Sequence, residues 1–220
     1  MQRRADLGWL GLALVIAAVV VLALQPASLE HWDEVQIELG MRRWDLAFHQ
    51  PHPPGYVLFV LTGRLLGALT HVAHPGRMLS LLAVLVWIAM LSRGLPEGAA
   101  RRFLPLAIPL LLVLSPTFLV HTTTGRTYLV ESTLWVSILI VSMLRKRWSA
   151  PLLGLLIGLG GGFRPTVLVW GILLAPIWLV RTRAPRRAWL ELAVAASAGT
   201  AVWVSALAVL NHGLARYREL

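Results

Sequence analysis

The residues able to do acid–base chemistry are concentrated in one stretch, Trp32 to Tyr56, WDEVQIELGMRRWDLAFHQPHPPGY. Five of the ten acidic residues, Glu30, Asp33, Glu34, Glu38 and Asp45, fall in it or just before it, together with His31, His49 and His52. A carboxylate within about 3 Å of a hydroxyl can take its proton as that hydroxyl attacks, so a carboxylate cluster beside a stiff turn and an aromatic residue is a workable general-base site. Pro51, Pro53 and Pro54 forbid helix and present His52 on a stiff extended segment. His49 and His52 have the spacing of metal ligands, but the prolines break the helix that would align their rings, so a divalent metal is left open. The chain has no Cys, which excludes disulfides and thiolate metal sites.

The elements that must position these residues are apolar. Of 220 residues 57% are hydrophobic and 14% charged, against about 25% charged in an ordinary soluble domain. The expectation is an all-α, polytopic transmembrane helix bundle of about seven spans, forming a single domain over residues 1–220. A net charge of +10 in a soluble protein would suggest nucleic acid. Here the Arg residues stand in short blocks between apolar segments, the pattern of topology signals and lipid-phosphate contacts, so the expected partner is the bilayer and not nucleic acid.

Arg3 and Arg4 precede an apolar run from about Leu7 to Leu24, read as an uncleaved first span with a cytoplasmic N-terminus, because Gln25-Pro26-Ala27-Ser28 is a poor cleavage site. Residues 26–77 then form a first external loop of interfacial or re-entrant helices. Ser28 as N-cap, Glu30 in the first turn, and Trp32, Val35 and Leu39 at helical spacing predict a short amphipathic helix stopped by Gly40, with Glu34 and Glu38 on one face. Trp44 and Phe48 predict a second interfacial turn. The segment from Tyr56 to about Leu69 is short and contains Arg64, which is expected to snorkel to headgroups. Only if this segment fails to cross do all the Arg blocks lie on the cytoplasmic side. Further spans are predicted at about 78–93, 103–120, 128–144, 150–162, 166–181 and 188–210, with Pro105 and Pro109 bending their helix and Gly154, Gly158 and the Gly160–Gly162 run allowing close helix approach. Glu131 falls inside a span, where an acid costs about 2.5–3.5 kcal/mol at the bilayer centre and needs a partner. Tyr128 alone reads as an aromatic-belt residue, and Arg126 and Arg164 as either headgroup contacts or phosphate ligands.

Taken in order, a first span, an external loop with an Asp33-Glu34 pair, the His52-Pro53-Pro54-Gly55-Tyr56 turn, Ser115-Pro116, Tyr128-x-x-Glu131 and a Gly162-Phe163-Arg164-Pro165 turn resemble the GT-C superfamily of membrane glycosyltransferases. The bacterial protein O-mannosyltransferase-like members are the nearest in pattern. The resemblance implies transfer of a sugar from a polyprenyl-phosphate donor to a protein, lipid or glycan acceptor at the extracytoplasmic face of the cell (inner) membrane. It puts Asp33 in the place of the catalytic acidic residue, with Glu34 beside it. An inverting transfer needs one base and no covalent intermediate, and Arg126 and Arg164 are the cations that could meet the leaving phosphate. His49, His52, Tyr56, Tyr128 and Glu131 are expected around the substrates. Partial burial against Trp32 is expected to raise the pKa of Asp33. Enzymes of the superfamily are usually much longer, so the chain is expected to be an N-terminal portion. Two rival classes are a lipid-linked substrate transporter or flippase and a non-catalytic scaffold. Transporters carry polar groups near the midplane and often show repeats, whereas no internal repeat is visible here.

Overall fold

The computed structural model describes residues 2–51, 56–94, 107, 110, 115–144 and 146–213. His52 and the bends expected at Pro105 and Pro109 lie outside the described residues. Among those described the protein is all-helical, with nine α-helices, one 3₁₀ turn and no strand: α1 Gln2–Ala23, α2 Trp32–Arg42, the 3₁₀ turn Leu46–Phe48, α3 Val57–Thr70, α4 Pro75–Gly94, α5 Pro116–Thr123, α6 Tyr128–Leu144, α7 Ser149–Phe163, α8 Pro165–Arg181 and α9 Arg186–Leu210. Proline opens α4, α5 and α8, where its missing N–H costs nothing and its fixed φ suits the first turn. Before α5 the Ser115 hydroxyl accepts from Phe118 N at 3.5 Å.

One described helix, α9, is by itself long and apolar enough to cross a membrane, and only 11% of its apolar stretch is buried. Two bent pairs qualify when each is taken together: α3 meets α4 at 100°, and α5 meets α6 at 106°. Large apolar side chains on α8 and α9, among them Val169, Trp170, Ile172, Leu173, Val194 and Val202, are exposed. One core cluster joins α1, α4 and α6 through Ala17, Val84, Ile88 and Leu129. A second joins α6 to α9 through Val141, Leu153, Ile157, Leu179 and Leu192. The close approach expected at Gly154 and Gly158 is made to α9, where a Cβ on Gly158 would lie 2.2 Å from the Ala196 carbonyl oxygen.

The two helix breaks abut. Gly76, at the start of α4, lies against Gly125, in the turn before α6, so closely that a Cβ on Gly125 would sit 3.0 Å from the Gly76 carbonyl carbon. Ser80 in the second turn of α4 donates to Thr124 O at 2.8 Å and fastens the same joint.

Helix α2 differs from its expected form in two ways. Its N-cap is His31 and not Ser28, and it runs through Gly40 to Arg42. Gly40 is there because Pro51 crosses it: a Cβ would meet Pro51 N at 2.6 Å. The shared acidic face of α2 is the one that packs into the protein. Glu34, Gln36, Ile37, Glu38, Gly40 and Met41 are buried, while Trp32 is 74% exposed and Leu39 37% exposed. In an apolar surrounding the acidic face gains most by turning inward, where fixed donors await it. Trp32 therefore cannot supply the burial expected for Asp33.

Arg64 does not snorkel. From α3 its Nε donates to Met41 O at 2.9 Å and its Nη2 to Gly40 O at 2.8 Å. These are the orphan carbonyls of the last turn of α2, and the cation also meets the negative end of that helix. Beyond α2, the indole N–H of Trp44 donates to Asn211 Oδ1 at 3.2 Å and ties the first loop to the end of α9. A polar cavity of about 240 Å³ lies between them.

Candidate functional site

Two acid–arginine centres grow from these elements. The first is buried between α2 and the two helix breaks. Glu34 is 0% exposed and Arg77 3% exposed, with Arg77 Nε 2.7 Å from Glu34 Oε1. Glu34 Oε1 also accepts from Gly125 N at 2.8 Å. The remaining Arg77 donors go to Pro26 O at 2.5 Å and Ser28 O at 2.6 Å. One turn along α2, Glu38 Oε1 accepts from Gly76 N at 2.9 Å. Burial pushes the Glu38 carboxyl up to about 7; the Gly76 N–H opposes this, Glu34 adds to it, and Arg42 and Arg77 oppose it. Glu34 and Glu38 thus stitch the start of α4 and the turn before α6 to α2, and the Arg77 and Gly125 donors around Glu34 are taken. His74 Nδ1, in the field of Arg77 and Glu34, is buried without a hydrogen-bond partner.

The second centre is partly open and gathers residues that are far apart in the chain. Arg164, the N-cap residue of α8, lays its guanidinium over the Tyr128 ring, 3.9 Å from the centroid. Its Nη1 lies 2.9 Å from Glu131 Oε2, an ion pair off the hydrogen-bonding direction, since Nη1 has no hydrogen-bond partner. The Thr166 hydroxyl donates to the other oxygen of Glu131 at 2.5 Å. Glu131, expected to need a partner, has two.

Tyr56 belongs to the same centre. Burial raises the pKa of its phenol; Arg164 opposes this, and Asp33, Tyr128 and Glu131 add to it. The phenol is therefore a proton donor at neutral pH, in the field of all four groups. Tyr56 holds a left-handed backbone at φ 41°, a conformation that costs a residue with a side chain about 1–2 kcal/mol. Asp33 is partly buried at the start of α2 and close enough to Tyr56 for its charge to act on the phenol.

Two nitrogens close the picture. Arg126 Nε and His121 Nδ1 are buried without a hydrogen-bond partner. The His121 ring lies 4.7 Å from that of Tyr128, centroid to centroid. Arg126, Arg164 and His31 all act electrostatically on His121. Buried donors are nearly always satisfied, so the unpaired Arg126 Nε, in a region where Arg164 also acts on His121, suits an anionic ligand.

Of the residues singled out from the sequence, Asp33, Tyr56, Arg126, Tyr128, Glu131 and Arg164 fall in this centre. Glu34 falls instead in the buried one. His49 is exposed in a left-handed conformation at the end of the 3₁₀ turn, and among the described residues no hydrogen bond, ion pair or ring contact joins it to the others. No group of three His, Asp or Glu able to hold a metal comes together among the described residues. His121 and Thr166 were missed. Each is one polar residue at a helix end, and only the packing of α5 and α8 against the ends of α6 brings them in. No family model, no curated protein and no solved structure matches this chain.

Proposed function

We propose that the chain is a glycosyltransferase domain of GT-C type, multi-pass in the cell membrane, transferring a sugar from a polyprenyl-phosphate donor with inversion. Asp33 is the general base toward the acceptor hydroxyl, Arg164 and Arg126 meet the donor phosphate, and Tyr56 donates a hydrogen bond. The observation that carries this reading is the electrostatic convergence of Asp33 and Arg164 on Tyr56, and of Arg164 and Arg126 on His121, with Arg126 Nε buried without a hydrogen-bond partner. A developing phosphate charge needs donors already in place and not neutralised elsewhere. Glu34 is fully buried with both oxygens accepting from Arg77 and Gly125, so the base role rests on Asp33 alone. The centre is placed at the extracytoplasmic face because that topology puts the Arg blocks inside. The lipid bilayer, the lipid-linked donor and a protein, lipid or glycan acceptor are the partners, with metal dependence left open.

The test is sugar transfer from a labelled polyprenyl-phosphate donor by membranes carrying the protein. Asp33→Asn keeps size but cannot accept the proton, and should lower turnover roughly 10²–10⁴-fold while donor binding survives. Normal turnover in Asp33→Asn would remove the base assignment. Because the chain has no Cys, single cysteines report the side directly. An impermeant thiol reagent applied outside should label Ala47→Cys and spare Arg147→Cys, and the reverse pattern would invert the topology.

A second reading, a transporter of a lipid-linked substrate, is favoured by the two bent helix pairs, since broken helices line many transport sites. It predicts substrate flux across vesicles without any transfer product.

A further inference from the structure

We infer that Glu131 and Thr166 are positioning residues that hold Arg164 in place for the donor phosphate, an inference that rests on the reading above. A free arginine side chain on a loop samples many rotamers, and ordering it on binding costs affinity. Arg164 is restrained in advance on two sides. Tyr128 covers the face of the guanidinium at 3.9 Å, and Glu131 takes one edge at 2.9 Å. Tyr128 and Glu131 are three residues apart and so share one side of the first turn of α6.

The carboxylate is itself anchored. Thr166 donates to Glu131 Oε1 from the first turn of α8, two residues beyond Arg164, with Pro165 between them. Arg164, Glu131 and Thr166 thereby close a small ring linking two helix starts. A guanidinium has five N–H donors, and one contact to Glu131 leaves the others for a phosphate. Neither Thr166 nor Glu131 need touch the donor in this arrangement. Two simpler roles predict different behaviour: a purely structural bridge would affect melting alone, and a carboxylate that merely repelled anions would weaken binding in the wild type.

The experiment titrates farnesyl phosphate, a short polyprenyl monophosphate, onto the purified protein in nanodiscs, with melting temperature followed in parallel. Glu131→Gln keeps an acceptor for Thr166 but removes the charge that holds Arg164, and affinity should fall about tenfold. Thr166→Val should lower it less, about threefold, and Glu131→Asp should restore part of the loss. In an Arg164→Ala background Glu131→Gln should have no further effect, because it acts through that arginine. Binding that is unchanged or tighter in Glu131→Gln, or an additive loss in the double variant, would overturn the inference and leave the glycosyltransferase reading intact. A wild-type protein that binds no farnesyl phosphate, or binds it equally well as Arg164→Ala, would remove the phosphate role of Arg164 and this inference with it.

Discussion

Glu34 with Arg77 and Glu131 with Arg164 are the same chemical pair in two settings. The first pair is 0% and 3% exposed, the second 18% and 17% by side chain. Around Glu34 the arginine and backbone donors have fixed acceptors: Arg77 reaches two backbone carbonyls besides the carboxylate, Gly125 N fills the shared oxygen, and the one unpaired atom nearby is a ring nitrogen, His74 Nδ1. Around Arg164 the count does not close, and Arg126 Nε and His121 Nδ1 are left over. A saturated buried pair can hold helices together but has nothing to offer a ligand. An unsaturated pair at a partly open centre costs stability and retains binding capacity.

The largest effect that separates the two centres is on stability. Arg77→Met leaves Glu34 charged, buried and unpaired, and should cost about 3–5 kcal/mol, read as a drop in melting temperature in detergent. Arg164→Met should cost no more than about 1 kcal/mol, since Glu131 keeps Thr166 and some solvent. Equal losses in the two variants would erase the distinction between an architectural and a functional pair.

Glu38 sharpens the comparison through pH. Its folded pKa, about 7 against an ordinary 4.5, means that between these values the folded state holds a proton that the unfolded state has lost. Its contribution to stability is whole below about pH 4.5, declines as pH rises toward 7, and is gone above, a change of roughly 3 kcal/mol at most. Glu38→Gln keeps the acceptor for Gly76 N–H and removes the titration. Melting curves of wild type and variant should diverge from pH 4.5 to pH 8, with the variant the more stable at the upper end; parallel curves would show that Glu38 is already ionised in the fold.

The smallest effect belongs to a third pair. Arg187 and Glu191 lie 2.6 Å apart on α9, one turn from each other, with side chains 82% and 29% exposed. Glu191→Gln should change stability by less than about 0.5 kcal/mol. A larger loss would mean that distance, and not burial, ranks these pairs.

Much of the fold was legible in the chain because long apolar runs punctuated by Pro, Gly and Arg admit little besides helix. The segments expected at 128–144, 150–162, 166–181 and 188–210 match α6 to α9 within two residues. Helix α2 was legible as a helix but not in orientation. Trp32, Val35 and Leu39 at helical spacing predict an amphipathic helix with Glu34 and Glu38 on one face, but not that the acidic face is the one that packs into the protein. Periodicity says which residues share a face; it does not say whether that face meets lipid or protein. For the same reason Arg64 was assigned to headgroups, when its partners are carbonyl oxygens 23 and 24 residues away.

What the sequence determined by itself is therefore local: the helical class, the approximate helix limits and the types of side chain available for acid–base and phosphate chemistry. Spacing along the chain sets these, since a helix repeats every 3.6 residues and a proline fixes its own φ. Which acid is used up and which is left open was decided by tertiary structure alone. Asp33 and Glu34 are neighbours with nearly identical side chains. One residue's step along α2 directs Glu34 onto Arg77 and Gly125, 43 and 91 residues away, and leaves Asp33 only partly buried, in the field of Tyr56. Charge neutralisation by partners that distant depends on where two bent helix pairs meet, and no local pattern encodes that meeting.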